Sequence, residues 1–204
     1  GTILRLAPTG DRFIAETSGT TRPLFGLSGS GLRDLWAVGE AGTALHYDGK
    51  AWTAVATGTE SLLLAAYAPQ PDTLFAVGAK GTILRRAGGR FTALESGTDK
   101  SLYAVAGLSS NTIWAAGEQG VVLRWDGVRW LAQELSTRAV FFGISATGNG
   151  TWLVGSSGVV VGWDGIRWTR YDSRVGADLR AVLLGSSLWA VGLNGLILQY
   201  QPSP

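Results

Sequence analysis

The sequence of 204 residues contains no cysteine, no methionine and a single histidine. Without cysteine the chain can form no disulfide framework and carries no thiolate, although this leaves its compartment open. One histidine cannot form an imidazole cluster around a metal ion. The absence of methionine indicates a processed or excised piece of a protein.

Long apolar runs and patches of one charge are also absent. The longest apolar stretches, such as 62–68, are far too short to cross a bilayer, and the chain opens without a signal-like segment, so we expect no membrane insertion. The 17 basic and 15 acidic residues give a net charge of +2 and are scattered along the chain. Because they form no basic stripe, we do not expect nucleic acid as a partner.

The sequence is rich in glycine, with 30 residues, and 46% of its residues are hydrophobic. The glycines follow no collagen-like period, so the composition predicts many tight turns around an apolar core. The stretch 120–130, GVVLRWDGVRW, joins an alternating apolar run through Asp-Gly to a second run that opens on an aromatic residue. This pattern is a strong signal for a β-hairpin.

The hairpin is repeated with a period of about 40 residues, and each period contains four short β-like runs, which we name A to D. The glycine that opens run C falls at positions 1, 42, 81, 120, 158 and 195. In the third copy, run A is 102–107, run B ends with 114–117, run C opens at 120 and run D opens at 130. In each copy a small residue stands third in run A, a glycine ends run B, and an aromatic opens run D. No window keeps a helical apolar pattern without a glycine. Four strands in each repeat predict the blade of a β-propeller.

Five copies of runs A, B and D predict an all-β fold, a five-bladed β-propeller of four-stranded antiparallel blades in one domain, residues 1–204. We expect the last blade to borrow run D from 12–16, so that pairing of the N- and C-terminal strands closes the ring. Either 12–16 adds onto 195–200 and leaves 1–6 outermost, or 1–6 lies inside the sheet and displaces 195–200. The expected blades are 23–57, 62–96, 101–135, 139–173, and 178–200 together with 1–17.

The segments 36–52 and 114–130 resemble repeats of the photosystem II assembly and stability factor type, which are akin to the Asp-box (BNR) repeats of sialidase-like propellers. The Asp-box has the form Ser-x-Asp-x-Gly-x-x-Trp, whereas this chain keeps Asp-Gly-x-x-Trp, beginning at 48, 126 and 164, and has Gly-Gly at 88–89. The resemblance covers essentially the whole chain and implies the propeller fold. Such propellers act as assembly factors, lectin-like binders or glycosidases, and the resemblance favours a secreted or cell-envelope location.

No group of residues breaks the repeat as an active site would. A glycosidase needs two carboxylates across one site, one of them with a raised pKa, but Asp48, Asp126 and Asp164 recur at turns. His46 stands where other copies have arginine, which indicates a packing role. The Gly-rich stretch 26–31 leads into a strand and not a helix, so it predicts no phosphate site. We therefore expect no enzymatic activity, no cofactor and no metal.

We expect a monomeric, non-catalytic binding or scaffolding propeller that presents loops on one face to a protein or glycan. The D–A loops, the B–C turns and the second residues of run A should gather at that face. The candidate binding residues at this face and at the channel mouth are Phe25, Glu40, Lys100, Tyr103, Glu118, Arg138, Phe142, Arg174, Asp178 and Arg180.

The alternative is a multivalent lectin in which sugars stack on the aromatic that precedes the C–D turn. Those aromatics are Tyr47, Trp125, Trp163 and Tyr200. The first three are more readily explained as cross-strand partners of Trp52, Trp130 and Trp168. A glycosidase remnant and a trimmed or engineered scaffold without a ligand are further alternatives.

Overall fold

The computed structural model describes residues 1–200, in which the strands form six antiparallel sheets that follow one another along the chain. We name these sheets the N-terminal hairpin, blades 1 to 4 and the last sheet. The hairpin contains β1 (Ile3–Leu6) and β2 (Phe13–Glu16). Blade 1 contains β3 (Leu24–Gly31), β4 (Asp34–Gly39), β5 (Ala44–Tyr47) and β6 (Trp52–Ala54).

The later sheets repeat this plan. Blade 2 contains β7 (Leu63–Gln70), β8 (Thr73–Gly78), β9 (Ile83–Ala87) and β10 (Arg90–Ala93). Blade 3 contains β11 (Leu102–Ser109), β12 (Thr112–Gly117), β13 (Val122–Trp125) and β14 (Trp130–Ala132). Blade 4 contains β15 (Phe141–Thr147), β16 (Gly150–Gly155), β17 (Val160–Trp163) and β18 (Trp168–Tyr171). The last sheet contains β19 (Leu179–Leu184), β20 (Leu188–Gly192) and β21 (Ile197–Gln199).

Each complete blade pairs its strands in chain order, and these strands are the predicted runs A, B, C and D. The run A strands of successive sheets also contact one another in chain order, β3 with β7, β7 with β11, β11 with β15, and β15 with β19. Run A is therefore the innermost strand of blades 1 to 4 and of the last sheet. The prediction of antiparallel four-stranded blades is confirmed for blades 1 to 4.

Close approach of the inner strands explains the small residue in run A. A Cβ atom on Gly26 would lie 2.9 Å from the Cα atom of Ala65 in the next blade. A Cβ atom on Gly143 would lie 2.9 Å from the Cα atom of Ala181. Real side chains essentially never reach such distances to backbone atoms, so only a very small residue fits at these two crossings.

The apolar core lies between consecutive sheets and is divided into four clusters. Between blades 1 and 2, Trp36 and Val38 on β4 pack against Leu63 and Leu74 of blade 2, and all four are fully buried. Equivalent clusters fill the next three interfaces. A blade exposes two apolar faces and can bury them only against its neighbours, which makes stacking of successive blades favourable.

The run B aromatics are covered by basic side chains from run C. The Cζ atom of Arg124 lies 5.4 Å from the ring centre of Trp114. The His46 ring stacks on Trp36 with centres 4.3 Å apart, and its Nε2 atom lies 2.8 Å from Asp34 Oδ1. The single histidine therefore has the packing role predicted for it.

The C–D turns are held by the shortened Asp-box. In blade 3, Asp126 Oδ1 accepts hydrogen bonds from the N–H groups of Val128 and Arg129, at 2.8 and 2.9 Å. Asp48 and Asp164 make the same pair of bonds in blades 1 and 4. Such local bonds stabilise the turn, as the sequence predicts.

Blade 2, which has Gly88-Gly89 in place of this aspartate, obtains a carboxylate from its A–B turn. Asp72 accepts a hydrogen bond from the N–H of Gly89 at 3.2 Å and forms an ion pair with Arg86. This replacement could not be predicted from the sequence, because the A–B turn and the C–D turn of the blade are brought together only by the fold.

The predicted closure of the ring is the main difference between expectation and structure. Within residues 1–200, β2 pairs with β1 alone and β21 pairs with β20 alone. Neither arrangement of the terminal strands expected from the sequence is present. The physical reason is that β2 pairs with β1 in the register by which run D pairs with run C in the complete blades, with Leu6 opposite Phe13 as Tyr47 is opposite Trp52. The edge that β2 would need for β21 is therefore already used, and Arg5 Nε lies 2.6 Å from Glu16 Oε1 across the same pair.

Apolar side chains that are buried in blades 1 to 4 are exposed on the first and last sheets. On the last sheet, Trp189, Val191 and Ile197 are between 42% and 65% exposed, although their counterparts are buried in most inner blades. On the N-terminal hairpin, Leu4 and Phe13 are 56% and 67% exposed. Among the described residues, no helix is long and apolar enough to cross a membrane.

Candidate functional site

The B–C turns and the D–A loops lie at the same end of each blade, as expected. In blade 3 the N–H of Glu118, in the B–C turn, donates to the carbonyl of Ser101, in the D–A loop, at 2.9 Å. Bonds of this kind also join Glu40 to Pro23 and Ser156 to Val140. These turns and loops therefore form one face around the ends of the inner strands.

The B–C turns themselves have a common backbone shape. Each turn is one short helical turn of three residues whose middle residue is left-handed, with φ between 50° and 60°. The third residue of each turn is the glycine that opens run C. The middle residues are Ala41, Lys80, Gln119, Ser157 and Asn194.

Five of the ten candidate residues form a continuous chain of contacts across blades 3 and 4 and the last sheet. Tyr103 donates its hydroxyl to Glu118 Oε1 at 2.8 Å, and its ring centre lies 5.8 Å from that of Phe142. The Cζ atom of Arg180 lies 4.0 Å from the centre of the Phe142 ring. Arg180 Nη2 donates to Asp178 Oδ2 at 3.0 Å. We call these five residues the channel-mouth cluster.

The two carboxylates at the ends of the channel-mouth cluster, Glu118 and Asp178, each accept a hydrogen bond from a backbone N–H. Glu118 Oε2 accepts from the N–H of Ser101 at 2.9 Å, within its own blade. Asp178 Oδ1 accepts from the N–H of Ser157 at 3.0 Å, in the preceding blade. Ser101 and Ser157 are positioning residues for these carboxylates. The residue type gives no signal for them, because each contributes only a backbone N–H.

These contacts shift the pKa values of two residues of the cluster, Glu118 and Tyr103. The pKa of Glu118 is lowered, chiefly by the hydrogen bond from the Ser101 backbone and then by the bond from Tyr103. The pKa of Tyr103 is raised by partial burial and by the neighbouring carboxylate. At neutral pH the cluster therefore has a charged Glu118 and a neutral phenol as donor.

The other five candidates lie outside this chain of contacts. Phe25 is 54% exposed, and the Lys100 ammonium lies 2.9 Å from the carboxylate of its neighbour Asp99. The remaining three are exposed loop or turn residues, Glu40, Arg138 and Arg174.

The aromatics considered for sugar stacking are placed differently from one another. Trp125 is 2% exposed and lies in the core between blades 2 and 3, so its ring offers no face to a sugar. The expected cross-strand pairs are present, with ring centres 5.3 Å apart for Tyr47 and Trp52, 5.6 Å for Trp125 and Trp130, and 5.3 Å for Trp163 and Trp168. Tyr200 is 42% exposed and contacts Trp152.

The carboxylates with clearly shifted pKa values do not resemble a glycosidase acid. The pKa is lowered at each of them, whereas a catalytic acid requires a raised value. They are Asp34, Asp48, Asp99, Glu118, Asp126 and Asp164. Within the described part of the chain, no group of three or more potential ligands could hold a metal ion.

Antiparallel blades stacked around their inner strands, with loops gathered on one face, define the architecture of a β-propeller. No family model matches the sequence, and no curated protein has a significantly similar sequence. Solved structures do match. A structure described as YCF48 bound to D1 peptide has a TM-score of 0.68 and 17% identity, over 89% of this chain and 66% of that chain. YCF48 from Cyanidioschyzon merolae has a TM-score of 0.68 and 16% identity, over 91% and 69%.

At this level of identity the likeness concerns the fold. It confirms the resemblance to the propeller of the photosystem II assembly factor that the repeats indicate. The chain spans about two thirds of the length of these two proteins, at 66% and 69%.

Proposed function

We propose that this chain is a non-catalytic binding propeller that holds a segment of a partner protein at the channel-mouth cluster. The observation that carries the proposal is the continuous contact from Glu118 through Tyr103, Phe142 and Arg180 to Asp178. It joins three consecutive sheets at the face where loops and turns gather. Binding surfaces are commonly built from aromatic and arginine side chains held in place by neighbours.

The chemistry of the cluster suits a peptide. The Cζ atom of Arg180 lies 4.0 Å from the centre of the Phe142 ring, one guanidinium nitrogen bonds Asp178, and the side chain remains 47% exposed. Its other N–H groups can donate to a carboxylate or a peptide carbonyl. The rings of Tyr103 and Phe142 offer apolar contact beside those donors. A short peptide contains both kinds of complementary group.

The similar solved structures give independent support. One of them is described as YCF48 bound to D1 peptide, so a propeller with this fold is known to bind a peptide. That structure is 17% identical to this chain, and its partner is not transferred here. The support concerns the class of ligand, a segment of protein.

The test is selection of peptides from a random displayed library against the 204-residue chain, followed by calorimetric titration of the selected peptides. We expect Phe142→Ala and Arg180→Ala each to weaken binding by about tenfold or more, since removal of an aromatic or arginine anchor typically costs over 1 kcal/mol. Arg129→Ala, at an exposed position in a C–D turn, is the matched control and should bind as the unaltered chain does. Peptides that bind all three variants equally would contradict the proposal.

A further inference from the structure

A groove of about 500 Å³ lies between blades 3 and 4, beside their outer strands. Blade 4 provides one face of β17 and β18, where two cross-strand pairs lie side by side, Val161 with Arg170 and Trp163 with Trp168. Blade 3 provides the loop that follows β14, residues 133–137. The volume is within the range of sites that hold small ligands.

Arg170 stands at a position that is alanine in every other copy of run D. It is the third residue of the run, counted from the aromatic that opens it. The side chain is exposed and forms no ion pair within residues 1–200. The blade plan therefore does not require this arginine. The alanines of the other copies are Ala15, Ala54, Ala93 and Ala132.

Gln133, on the other side of the groove, replaces an apolar residue. It is the fourth residue of run D, where blades 1 and 2 have Val55 and Leu94, and both of these pack against the apolar clusters of their interfaces. The Gln133 amide instead donates to the carbonyls of Leu131 and Ala132 in its own strand, at 3.2 and 3.3 Å. Because no apolar side chain fills this position, the interface between blades 3 and 4 leaves room for the groove.

The loop after β14 also departs from the repeat. At the sixth and seventh positions counted from the run D aromatic, every other copy has a serine or threonine followed by a left-handed residue. In blade 3 these positions are Leu135, which packs against the apolar cluster, and Ser136, whose φ is not positive. Four departures from the repeat, on both sides of one interface, therefore meet at one groove. The pairs in the other copies are Ser18-Gly19, Thr57-Gly58, Ser96-Gly97 and Ser173-Arg174.

The groove combines an aromatic surface with polar groups around it. Trp163 is partly exposed here, whereas its counterpart in blade 3, Trp125, is 2% exposed. The π face of an indole carries partial negative charge and attracts the C–H groups on the face of a sugar ring. Gln133, Ser136 and Thr137 provide donors and acceptors for the hydroxyl groups at the edge of such a ring.

The charged side chains of the groove favour an anionic ligand. The lining residues that the structure describes include two arginines, Arg167 and Arg170, and one acidic residue, Glu134. Arg167 Nε lies 3.9 Å from Asp164 Oδ2, which is too long for a hydrogen bond. Both guanidinium groups can therefore donate to a ligand, and a guanidinium binds a carboxylate through two parallel N–H groups.

We propose that the groove between blades 3 and 4 binds an oligosaccharide that carries a carboxylate, with a sugar ring on Trp163 and the carboxylate on Arg170. A sugar ring suits the groove better than an acidic peptide, because it has apolar faces and a polar edge. Each chain has one such site, since Arg170 and Gln133 each occur in a single copy of the repeat. The site is separate from the channel-mouth cluster and does not depend on the function proposed for that cluster.

The test is calorimetric titration of the 204-residue chain with three uronate oligosaccharides, trigalacturonate, triguluronate and a hyaluronan tetrasaccharide. Their methyl esters are the matched neutral probes. We expect at least one of the three acids to bind at one site per chain, and its ester to bind about tenfold more weakly or less, because the ester lacks the charge that the arginine pairs with.

Two variants restore the residue type of other blades and are therefore expected to fold. Arg170→Ala removes the guanidinium, and Gln133→Leu fills the groove as Leu94 fills the interface of blade 2. Each should weaken saccharide binding by about tenfold or more, with a melting temperature like that of the unaltered chain. Arg129→Ala removes the same charge from an exposed C–D turn of blade 3 and is the matched control, without effect on binding.

Phe142→Ala separates this site from the channel-mouth cluster, because it should leave saccharide binding unchanged. Failure of all three acids to bind, equal binding of acid and ester, or several equivalents per chain would overturn the proposal. Full binding by Arg170→Ala or by Gln133→Leu would also overturn it. Binding of hexaglutamate with equal affinity would assign the groove to acidic peptides, which again contradicts the proposal.

Discussion

Gly143→Val tests the inner-strand crossing on which the arrangement of blades depends. A Cβ atom at Gly143 would lie 2.9 Å from Ala181 Cα, 3.0 Å from the Arg180 carbonyl oxygen and 3.1 Å from Val154 Cγ2. The first two are backbone atoms of β19, which cannot rotate away as a side chain could. The substitution therefore forces β15 and β19 apart or strains both strands. Overpacking of this kind typically costs about 1 to 3 kcal/mol, and we expect the upper end, about 3 kcal/mol.

Thermal unfolding followed by circular dichroism measures the effect. For a domain of this size, about 3 kcal/mol lowers the melting temperature by about 6 to 12 °C. Gly31→Val is the matched control, because Gly31 also lies in an inner strand but has no atom within 4 Å of the added Cβ. Lys50→Ala, at an exposed turn position, should also be nearly silent. Equal melting temperatures for Gly143→Val and Gly31→Val would refute the close crossing.

Two further substitutions test the blade interface and the turn. Trp114→Ala should cost about 3 to 5 kcal/mol in urea unfolding, because it empties a fully buried site against Trp168. Asp126→Ala should destabilise the chain at pH 7, and the deficit should shrink in acid. The pKa of Asp126 is lowered by bonds from the Arg129 and Val128 backbone, so its contribution is present above the unfolded pKa of about 3.9 and is lost as pH falls through the folded value. Urea unfolding at pH 7 and pH 3 checks the sign, and a deficit that grows in acid would contradict it.

Much of the fold can be predicted from the sequence because the repeat carries local signals. A glycine after run B, Asp-Gly in the C–D turn and an aromatic at the start of run D each constrain a few neighbouring residues. The register of a hairpin follows from such signals, and Trp125 does lie opposite Trp130. The crowded position in run A is also predictable, since Gly26 and Gly143 meet the backbone of the next inner strand.

The candidate site was only partly predictable. Its face follows from the order of loops and turns, and the channel-mouth cluster consists of those five of the ten candidates that the structure brings into contact. Their partners could not be predicted, because the contact of Tyr103 with Phe142 depends on the rotation between blades and that of Asp178 with Ser157 on a backbone N–H. The repeat pattern predicts neither the rotation between blades nor the position of a particular backbone N–H. For the same reason the sequence does not predict that Asp72 takes the place of the missing turn aspartate in blade 2.

The closed ring was predicted by counting repeats, and counting does not determine closure. A repeat specifies a blade and its two apolar faces, whereas the number of blades in a ring depends on the angle between successive blades. In this chain the last sheet leaves Trp189 and Ile197 exposed, and the hairpin leaves Leu4 and Phe13 exposed. The first pair belongs to the face that each inner blade buries against its successor, and Leu4 and Phe13 belong to the opposite face. The last sheet and the N-terminal hairpin therefore present complementary halves of the interface found between blades 1 and 2. Apolar contact between these two faces does not require that strands of the two sheets pair.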